Sequence, residues 1–585
     1  MQSRPALAVG LTAMLLTSAA PVPAPAGQRA APPPRGVRSP VRCTPSVADM
    51  PIAPMPTGGV RGSAAPQPIP FPAPPPASPP PPAPYAVAPG AADVIVTAQR
   101  RAGGSYVAKA RAPYGSRENT ERYDGRAVAS VLAVADQPVS TFSVDVDTGA
   151  YANVRRFLND GELPPAEAVR TEELINYFRY DYPRPQDRAQ PFSVTTDVAR
   201  TPWNPATRLI RIGLRGYDVA GAERPPANLV FLVDVSGSMD EPAKLPLVKA
   251  ALEMLADQLR PQDKVSIVVY AGAAGIVLDP TSNKADVRTA LDCLGAGGST
   301  AGGEGLKLAY DVARANFIKD GVNRIFLATD GDFNVGVSDT KALEAMVKAQ
   351  REGGVTLTTL GFGAGNYNEA MMERIADVGN GNYAYIDSAM EARKVLDEEL
   401  SATMVTIASD VKVQVEFNPA AVSQYRLIGY ENRALAEEDF ANDTVDAGDI
   451  GAGHQVTALY EVVPAGGAGW LPSRRYPGNA RAPGRAAGTS EACFVKLRYK
   501  LPGERASRLI SRPVAGNLLA GAGAPQGDMA FVAAVAAFGQ KLRGDKYLDA
   551  YSYADARALA GSPQGYWRQE FVKLTELAQR QRPSE

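Results

Sequence analysis

The chain has 585 residues, 45% of them hydrophobic and 21% charged, with 61 basic and 62 acidic side chains. That length exceeds one hydrophobic core, so two or three domains are expected, and a formal net charge of −1 argues against a protein whose main task is neutralising phosphate. A single histidine, His454, removes zinc and iron sites built from several imidazoles, and Cys43, Cys293 and Cys493 share no CxxC spacing. One internal disulfide in an oxidising compartment stays open, and the sequence does not place Cys293 near Cys493.

The first elements are not folded ones. Met1–Arg4 is a short basic start, Ala6–Ala20 is apolar and uncharged, and Ser18-Ala19-Ala20 suits a signal peptidase, so residues 1–20 read as a secretory signal. The run is short of the roughly 20 residues needed to span a bilayer. No Leu-x-x-Cys closes it, which argues against lipid attachment at Cys43. Residues 21–119 are expected to be a disordered tail: Pro21–Gly90 holds 24 of the 50 prolines and one acidic residue, Asp49. Such a segment buries too little apolar surface to offset its ordering entropy. Pro74–Pro76 and Pro79–Pro82 favour polyproline II, a semi-rigid spacer or a docking segment. Asp93–Arg101 (DVIVTAQRR) is similar to the segment that opens the plug of TonB-dependent outer-membrane receptors, which implies a Gram-negative envelope; an incidental short strand is the alternative.

Folding signals sharpen after about residue 137. Between Asn228 and Ser401, apolar runs at Leu229–Val233, Val265–Tyr270, Ile276–Leu278, Ile325–Ala328, Val355–Leu360 and Tyr383–Ile386 alternate with helical periodicity. The helices are expected near Leu247–Leu259, Asp286–Leu294, Gly305–Phe317, Thr340–Gln350 and Asn368–Val378. This pattern predicts an α/β fold: a doubly wound, mostly parallel six-stranded sheet covered on both faces.

Ligands of such folds bind beyond the carboxyl ends of the strands where the winding reverses. After the first strand stand Asp234, Ser236 and Ser238 in DVSGSM, and after the fourth stands Asp330 in ATDGD. A third piece, GGSTAGGEG, brings Thr300 to a loop before a helix, with Gly297, Gly298, Gly302 and Gly303 permitting tight turns. Carboxylates and hydroxyls without imidazole or thiolate are hard oxygen ligands suited to Mg²⁺ or Mn²⁺, with Ca²⁺ as a further candidate. Hydroxyl ligands leave the ion under-neutralised, so its open position attracts an anionic oxygen from outside. Capping of helix starts by Ser236, Ser238 or Thr300 is the structural alternative, but it does not explain two aspartates at one edge. Glu304 and Asp332 lie near enough in sequence to be extra ligands or solvated caps.

The DxSxS, Thr, Asp set resembles the metal-ion-dependent adhesion site of von Willebrand factor type A (VWA) domains. The resemblance implies metal held through the hydroxyls of Ser236, Ser238 and Thr300, with Asp234 and Asp330 acting directly or through water. Further likeness lies in STFSVDVDTGAYANVRRFLNDGELPPAEAVRTEELINYFRYDYP from Ser140 to Pro183, and in GNYNEAMMERIADVGNGNYAYID, VKVQVEFNPAAVSQYRLIGYENR and GAGHQVTALYE after the central domain. These segments are similar to a bacterial VWA family often called YfbK-like, over about residues 120–580.

The flanks, residues 120–226 and 402–585, carry strand patterns at Phe192–Arg200, Arg208–Arg215, Val411–Phe417, Tyr425–Tyr430, Gln455–Val463 and Phe494–Leu501. Each set is too small to close alone, so residues 227–401, the VWA domain, are expected to be inserted into one antiparallel β-sandwich built from both flanks. Hinges would fall near Arg224–Ala227 and Ala402–Ser409. Pro464–Thr489 reads as a long loop, and Phe531–Leu542, Ala554–Leu559 and Trp567–Gln581 as amphipathic helices packing in a core rather than on a membrane.

The expected function is that of an exported protein, in the periplasm or cell envelope of a Gram-negative bacterium, whose metal site binds an acidic side chain of a protein partner. Two alternatives are a metal-assisted hydrolase with Glu304 or Asp332 as base, and an envelope scaffold that does not use the metal for binding. No GxSxG, GxxxxGK or GxGxxG motif supports an enzyme.

Overall fold

The sheet that positions the site begins with ANLVFLVD, Ala227–Asp234, which is buried at every position and lies between two parallel neighbours. A strand covered on both faces has no use for polar alternation, which is why the run is continuously apolar. In this computed structural model the described residues are 41–43, 120–144, 146–185, 188–300, 302–331, 340–399, 402, 404–472 and 490–581. The signal segment, most of the Pro-rich tail, Asp93–Arg101, Asp332 and residues 473–489 of the long loop lie outside them.

The central sheet has six strands, in the order Tyr383–Ile386, Thr356–Phe362, Val322–Thr329, Ala227–Asp234, Lys264–Tyr270 and Ala274–Thr281. All pair in parallel except the last, which runs antiparallel to Lys264–Tyr270. Helices Leu245–Asp257 and Lys284–Asp292 pack on one face and Gly302–Ala315, Thr340–Glu352 and Glu369–Val378 on the other. All six expected strands and five expected helices are present.

Two antiparallel sheets are assembled from both flanks. One runs Leu132–Ala133, Val422–Ile428, Gln455–Pro464, Arg208–Gly216, Phe192–Arg200; the other runs Ala434–Leu435, Val139–Ser143, Thr406–Phe417, Glu491–Lys500, Arg508–Ala515. Ile210, Ile212, Leu214 and Val456 of the first sheet share one core with Phe142, Val413, Val415 and Val495 of the second. The VWA domain thus interrupts a sandwich whose strands precede and follow it. The expected hinges differ from this picture. Arg224 is buried and ion-paired to Asp263, and Arg260 donates to the carbonyls of Gly221, Arg224 and Pro225, so the first crossing is clamped. Thr406–Ser409 already belongs to a strand and pairs with Ile450–Gly451 and Lys500.

The terminal helices Gly527–Leu542, Tyr553–Ala560 and Tyr566–Arg580 share a core with Tyr151, Leu174, Tyr177 and Phe178 of the first flank. Phe531–Gln540 is buried without interruption, as in a helix enclosed by protein. Among the described residues no helix is long and apolar enough to cross a membrane. Buried arginines tie the parts together. Arg155 donates to Asp387 and Glu391 of the VWA segment at 2.6–2.7 Å and to Glu570 at 3.1 Å. Arg426 of the sandwich binds Glu461, Gln540 and Asp545 at 2.6–3.0 Å.

Cys43 forms a disulfide with Cys293, a pairing for which the sequence offered no signal, and Cys493 is free and buried. Around that bond Val41 pairs with Leu278, Arg42 N donates to Val277 O at 2.8 Å, and Arg42 meets Asp279 at 3.0 Å. These three residues lie along the edge strand Ala274–Thr281.

His454 precedes the Gln455–Pro464 strand, and its Nδ1 accepts from Gly451 N at 3.3 Å. Burial draws its imidazole down to about 4, against the opposing pull of Glu399. The folded chain therefore keeps His454 neutral where the unfolded chain, near 6.5, takes a proton. Its contribution to stability is present above about pH 6.5 and is lost as pH falls toward 4. Because there is one histidine, a single imidazole resonance reports it. We expect a titration midpoint near 4 in the folded chain and near 6.5 in urea; a folded midpoint near 6.5 would show the ring to be solvated.

Candidate metal centre

The site follows from strand register. Val233 lies opposite Ala328 in the parallel pair, so Asp234 and Thr329 end their strands side by side and Asp330 comes next. Asp234 and Asp330 are both fully buried. Asp234 Oδ1 accepts from Ser236 N at 2.9 Å, and its Oδ2 accepts from Thr329 Oγ1 at 3.0 Å. The first bond folds the chain back at once, and the turn Gly237–Met239 continues it with Met239 buried in the core below. Ser236 Oγ and Ser238 Oγ stand 3.1 Å apart, within hydrogen-bond distance of each other.

The Thr300 loop is stitched to this turn. Gly297 N donates to Val235 O at 2.7 Å, and Gly237 N donates to Gly298 O at 3.0 Å. Gly298 has φ +87°, the left-handed region that the tight approach requires. Thr300 follows two residues later, buried, ahead of helix Gly302–Ala315. The structure therefore brings the loops of Asp234, Ser236, Ser238, Thr300 and Asp330 to one sheet edge. Glu304 is exposed on the first turn of the helix. His454 belongs to the sandwich.

Besides Thr329, two residues near Asp330 were not anticipated from sequence. Lys244 Nζ donates to Asp330 Oδ2 at 3.0 Å and to Asn366 Oδ1 at 3.1 Å, with the lysine side chain 1% exposed. A lysine opening a helix ordinarily reads as a solvated charge, and Asn366 sits in an irregular loop without pattern, so neither carried a signal. The two aspartates respond oppositely. Burial pushes Asp234 up to about 6, although hydrogen bonds from Ser236 and Thr329 oppose it. Burial also acts to raise Asp330, but the Lys244 ammonium and hydrogen bonds from Asn366, Ser238 and Lys244 hold it below the ordinary carboxylate range.

Among the described residues no group of three or more His, Cys, Asp or Glu stands where it could hold a metal. The site offers instead two carboxylates and three hydroxyls, a donor set that fits a hard divalent cation. A buried carboxylate raised to about 6 fits as well, since a cation beside it would relieve the cost of its charge.

These features define a von Willebrand factor type A domain protein. The family model described as von Willebrand factor type A domain matches residues 228–399, that described as von Willebrand factor matches 117–211, and that described as "Uncharacterized protein YfbK, C-terminal" matches 402–581. The chain is 49% identical over 485 residues to the uncharacterized protein YfbK of Escherichia coli (strain K12), covering 80% of this chain and 83% of that protein. It belongs to the YfbK family. The uncharacterized protein sll0103 of Synechocystis sp. is 35% identical over 187 residues, covering 32% of this chain and 43% of that protein. Among solved structures, BatB from Bacteroides thetaiotaomicron is 25% identical, covering 30% of this chain and 97% of that one, with a TM-score of 0.27. A von Willebrand factor type A protein from Catenulispora acidiphila is 17% identical, covering 68% and 91%, with a TM-score of 0.36.

Gly331 closes the loop behind Asp330, with φ +91°, and a Cβ there would fall 2.4 Å from Asn368 N. Gly365 has the same φ with open space around it. Gly331→Ala is expected to cost about 1–3 kcal/mol from strain and collision, more than Gly365→Ala, which adds strain alone. Thermal denaturation of both variants checks this; equal losses would mean that the Asn368 backbone yields freely.

Proposed function

We propose that this chain is an exported binding protein that holds a divalent cation, Mg²⁺ or else Mn²⁺ or Ca²⁺, and through it captures an acidic side chain of a protein partner. The observation that carries this reading is the pair of hydroxyls, Ser236 Oγ and Ser238 Oγ at 3.1 Å, beside the buried carboxylates of Asp234 and Asp330. Ser236, Ser238 and Thr300 would hold the cation, with Asp234 and Asp330 direct or through water. The cation supplies a point charge at the centre of a polar rim, where a partner carboxylate gains both affinity and orientation. Asp234 holds the DVSGSM turn through Ser236 N, and Thr329 fixes the rotation of its carboxylate.

Export to a Gram-negative periplasm or envelope is supported by Met1–Ala20 and by the Cys43–Cys293 disulfide, a bond that persists in oxidising compartments. A binding role is favoured over hydrolysis because Glu304, one of the two candidate bases, is exposed on its helix rather than buried at the hydroxyls, and His454 lies in the sandwich; Asp332, the other candidate, lies outside the described residues.

A pull-down from cell-envelope extract with the chain from residue 120 onward tests this. A partner band is expected with Mg²⁺, and is expected to vanish with EDTA or in the variant carrying Asp234→Ala and Ser236→Ala. Retention that ignores both treatments would move the binding surface elsewhere.

A further inference from the structure

We propose that Lys244 is a resident counter-ion that sets the charge of the metal centre and thereby makes it selective for a carboxylate-bearing ligand. The inference rests on the metal-centred reading above and adds to it a residue outside the DxSxS, Thr, Asp set.

Lys244 is built into its place. Its Nζ bridges Asp330 Oδ2 at 3.0 Å and Asn366 Oδ1 at 3.1 Å, with the two ion-pair side chains 1% and 0% exposed. Its stem crosses the backbone of Gly363, where φ is +74° and a Cβ would fall 2.4 Å from Lys244 Cε and 2.5 Å from Cγ. The fold thus leaves a side chain out to let this lysine through. Asn366 is fixed in turn by a strap from the first flank: Thr120 N donates to Gly365 O at 2.8 Å, Arg122 N to Tyr367 O at 2.9 Å, and Gly365 N to Glu121 Oε1 at 2.8 Å. Local helix stability does not account for Lys244. It stands at the N-cap of helix Leu245–Asp257, where a positive charge opposes the helix dipole.

The consequence is electrostatic. Asp234 and Asp330 carry two negative charges and Lys244 returns one positive charge. A divalent cation among them leaves the centre with one net positive charge; without Lys244 the same centre would be neutral. In a buried site that remaining charge favours an anionic oxygen over water as the outer ligand. Lys244 therefore weakens the hold on the bare cation and strengthens the hold on the carboxylate that completes it.

The test uses the full chain with native sequence, Lys244→Met, Lys244→Gln and Asp234→Ala. Mg²⁺ binding is measured by isothermal titration with and without acetate as a carboxylate probe, and folding by thermal denaturation with and without Mg²⁺. Both Lys244 variants are expected to bind Mg²⁺ about tenfold or more tightly than the native chain, because Asp330 has lost its ammonium. Acetate is expected to tighten Mg²⁺ binding in the native chain, by reciprocity of linked ligands, and to lose that effect in the variants. A variant that folds only with Mg²⁺ present supports the proposal. Folded variants that bind Mg²⁺ no tighter, or that keep the acetate effect, overturn it, as does failure of both to fold even with Mg²⁺, which would make Lys244 a packing residue. If the native chain and Asp234→Ala both ignore Mg²⁺, the metal-centred reading is what fails, and this inference falls with it.

Discussion

The parallel pairing of Ala227–Asp234 with Val322–Thr329 is the constraint on which the rest of the site depends. A register that sets Val233 against Ala328 leaves Asp234 and Thr329 on neighbouring strand ends and Asp330 one residue beyond. The two carboxylates then share a buried edge, so each needs its own partners. Asp330 takes the Lys244 ammonium. Asp234 takes neutral donors, Ser236 N and Thr329 Oγ1, and stays raised to about 6. Those donors lower Asp234, and burial outweighs them. The sheet edge thus holds one aspartate paired with an ammonium and one held by neutral donors, flanked by hydroxyls.

That edge is not isolated from the flanks. The loop Gly365–Glu369 carries Asn366 toward Lys244 and pairs through Asn368 with Arg122. Its last residue, Glu369, opens the helix Glu369–Val378 and lies 3.8 Å from Arg170, which also meets Glu173 and Glu373. The first flank therefore touches the loop behind the site through backbone hydrogen bonds and through a buried ion cluster. Arg155 adds a third tie by joining the first flank, the end of the VWA segment and the last helix. Buried arginine networks of this kind add geometric definition rather than large net stability. The insertion is gripped on several sides, which is why the expected hinges are absent as free linkers.

The legible parts of the sequence were those with one dominant physical signal. Runs such as Leu229–Val233 and Ile325–Ala328 are apolar at consecutive positions because both faces are covered, and the DVSGSM and ATDGD motifs stand where those runs end. The sandwich could be read as an assembly of both flanks because each carried too few strands to close. Four of its strands carry no such signal, two of them the two-residue pieces Leu132–Ala133 and Ala434–Leu435. Val139–Ser143 (VSTFS) pairs on both sides but has small polar residues between its apolar ones. Arg508–Ala515 is a mostly exposed edge containing Pro513, which lacks the alternation that marks a half-buried strand. Lys244, Thr329 and Asn366 were not legible because their roles depend on contacts between loops far apart in sequence. The Cys43–Cys293 bond joins residues 250 positions apart, one of them in a proline-rich stretch with no folding pattern.

The measurement that bears most directly on this account is an anomalous diffraction map from crystals of the full chain soaked in Mn²⁺. One peak is expected, at the sheet edge within reach of Ser236 Oγ, Ser238 Oγ and Thr300 Oγ1, and it should disappear in Asp234→Ala. A map with no peak at that edge, or with Mn²⁺ bound only elsewhere, would contradict the claim that this site is a metal centre.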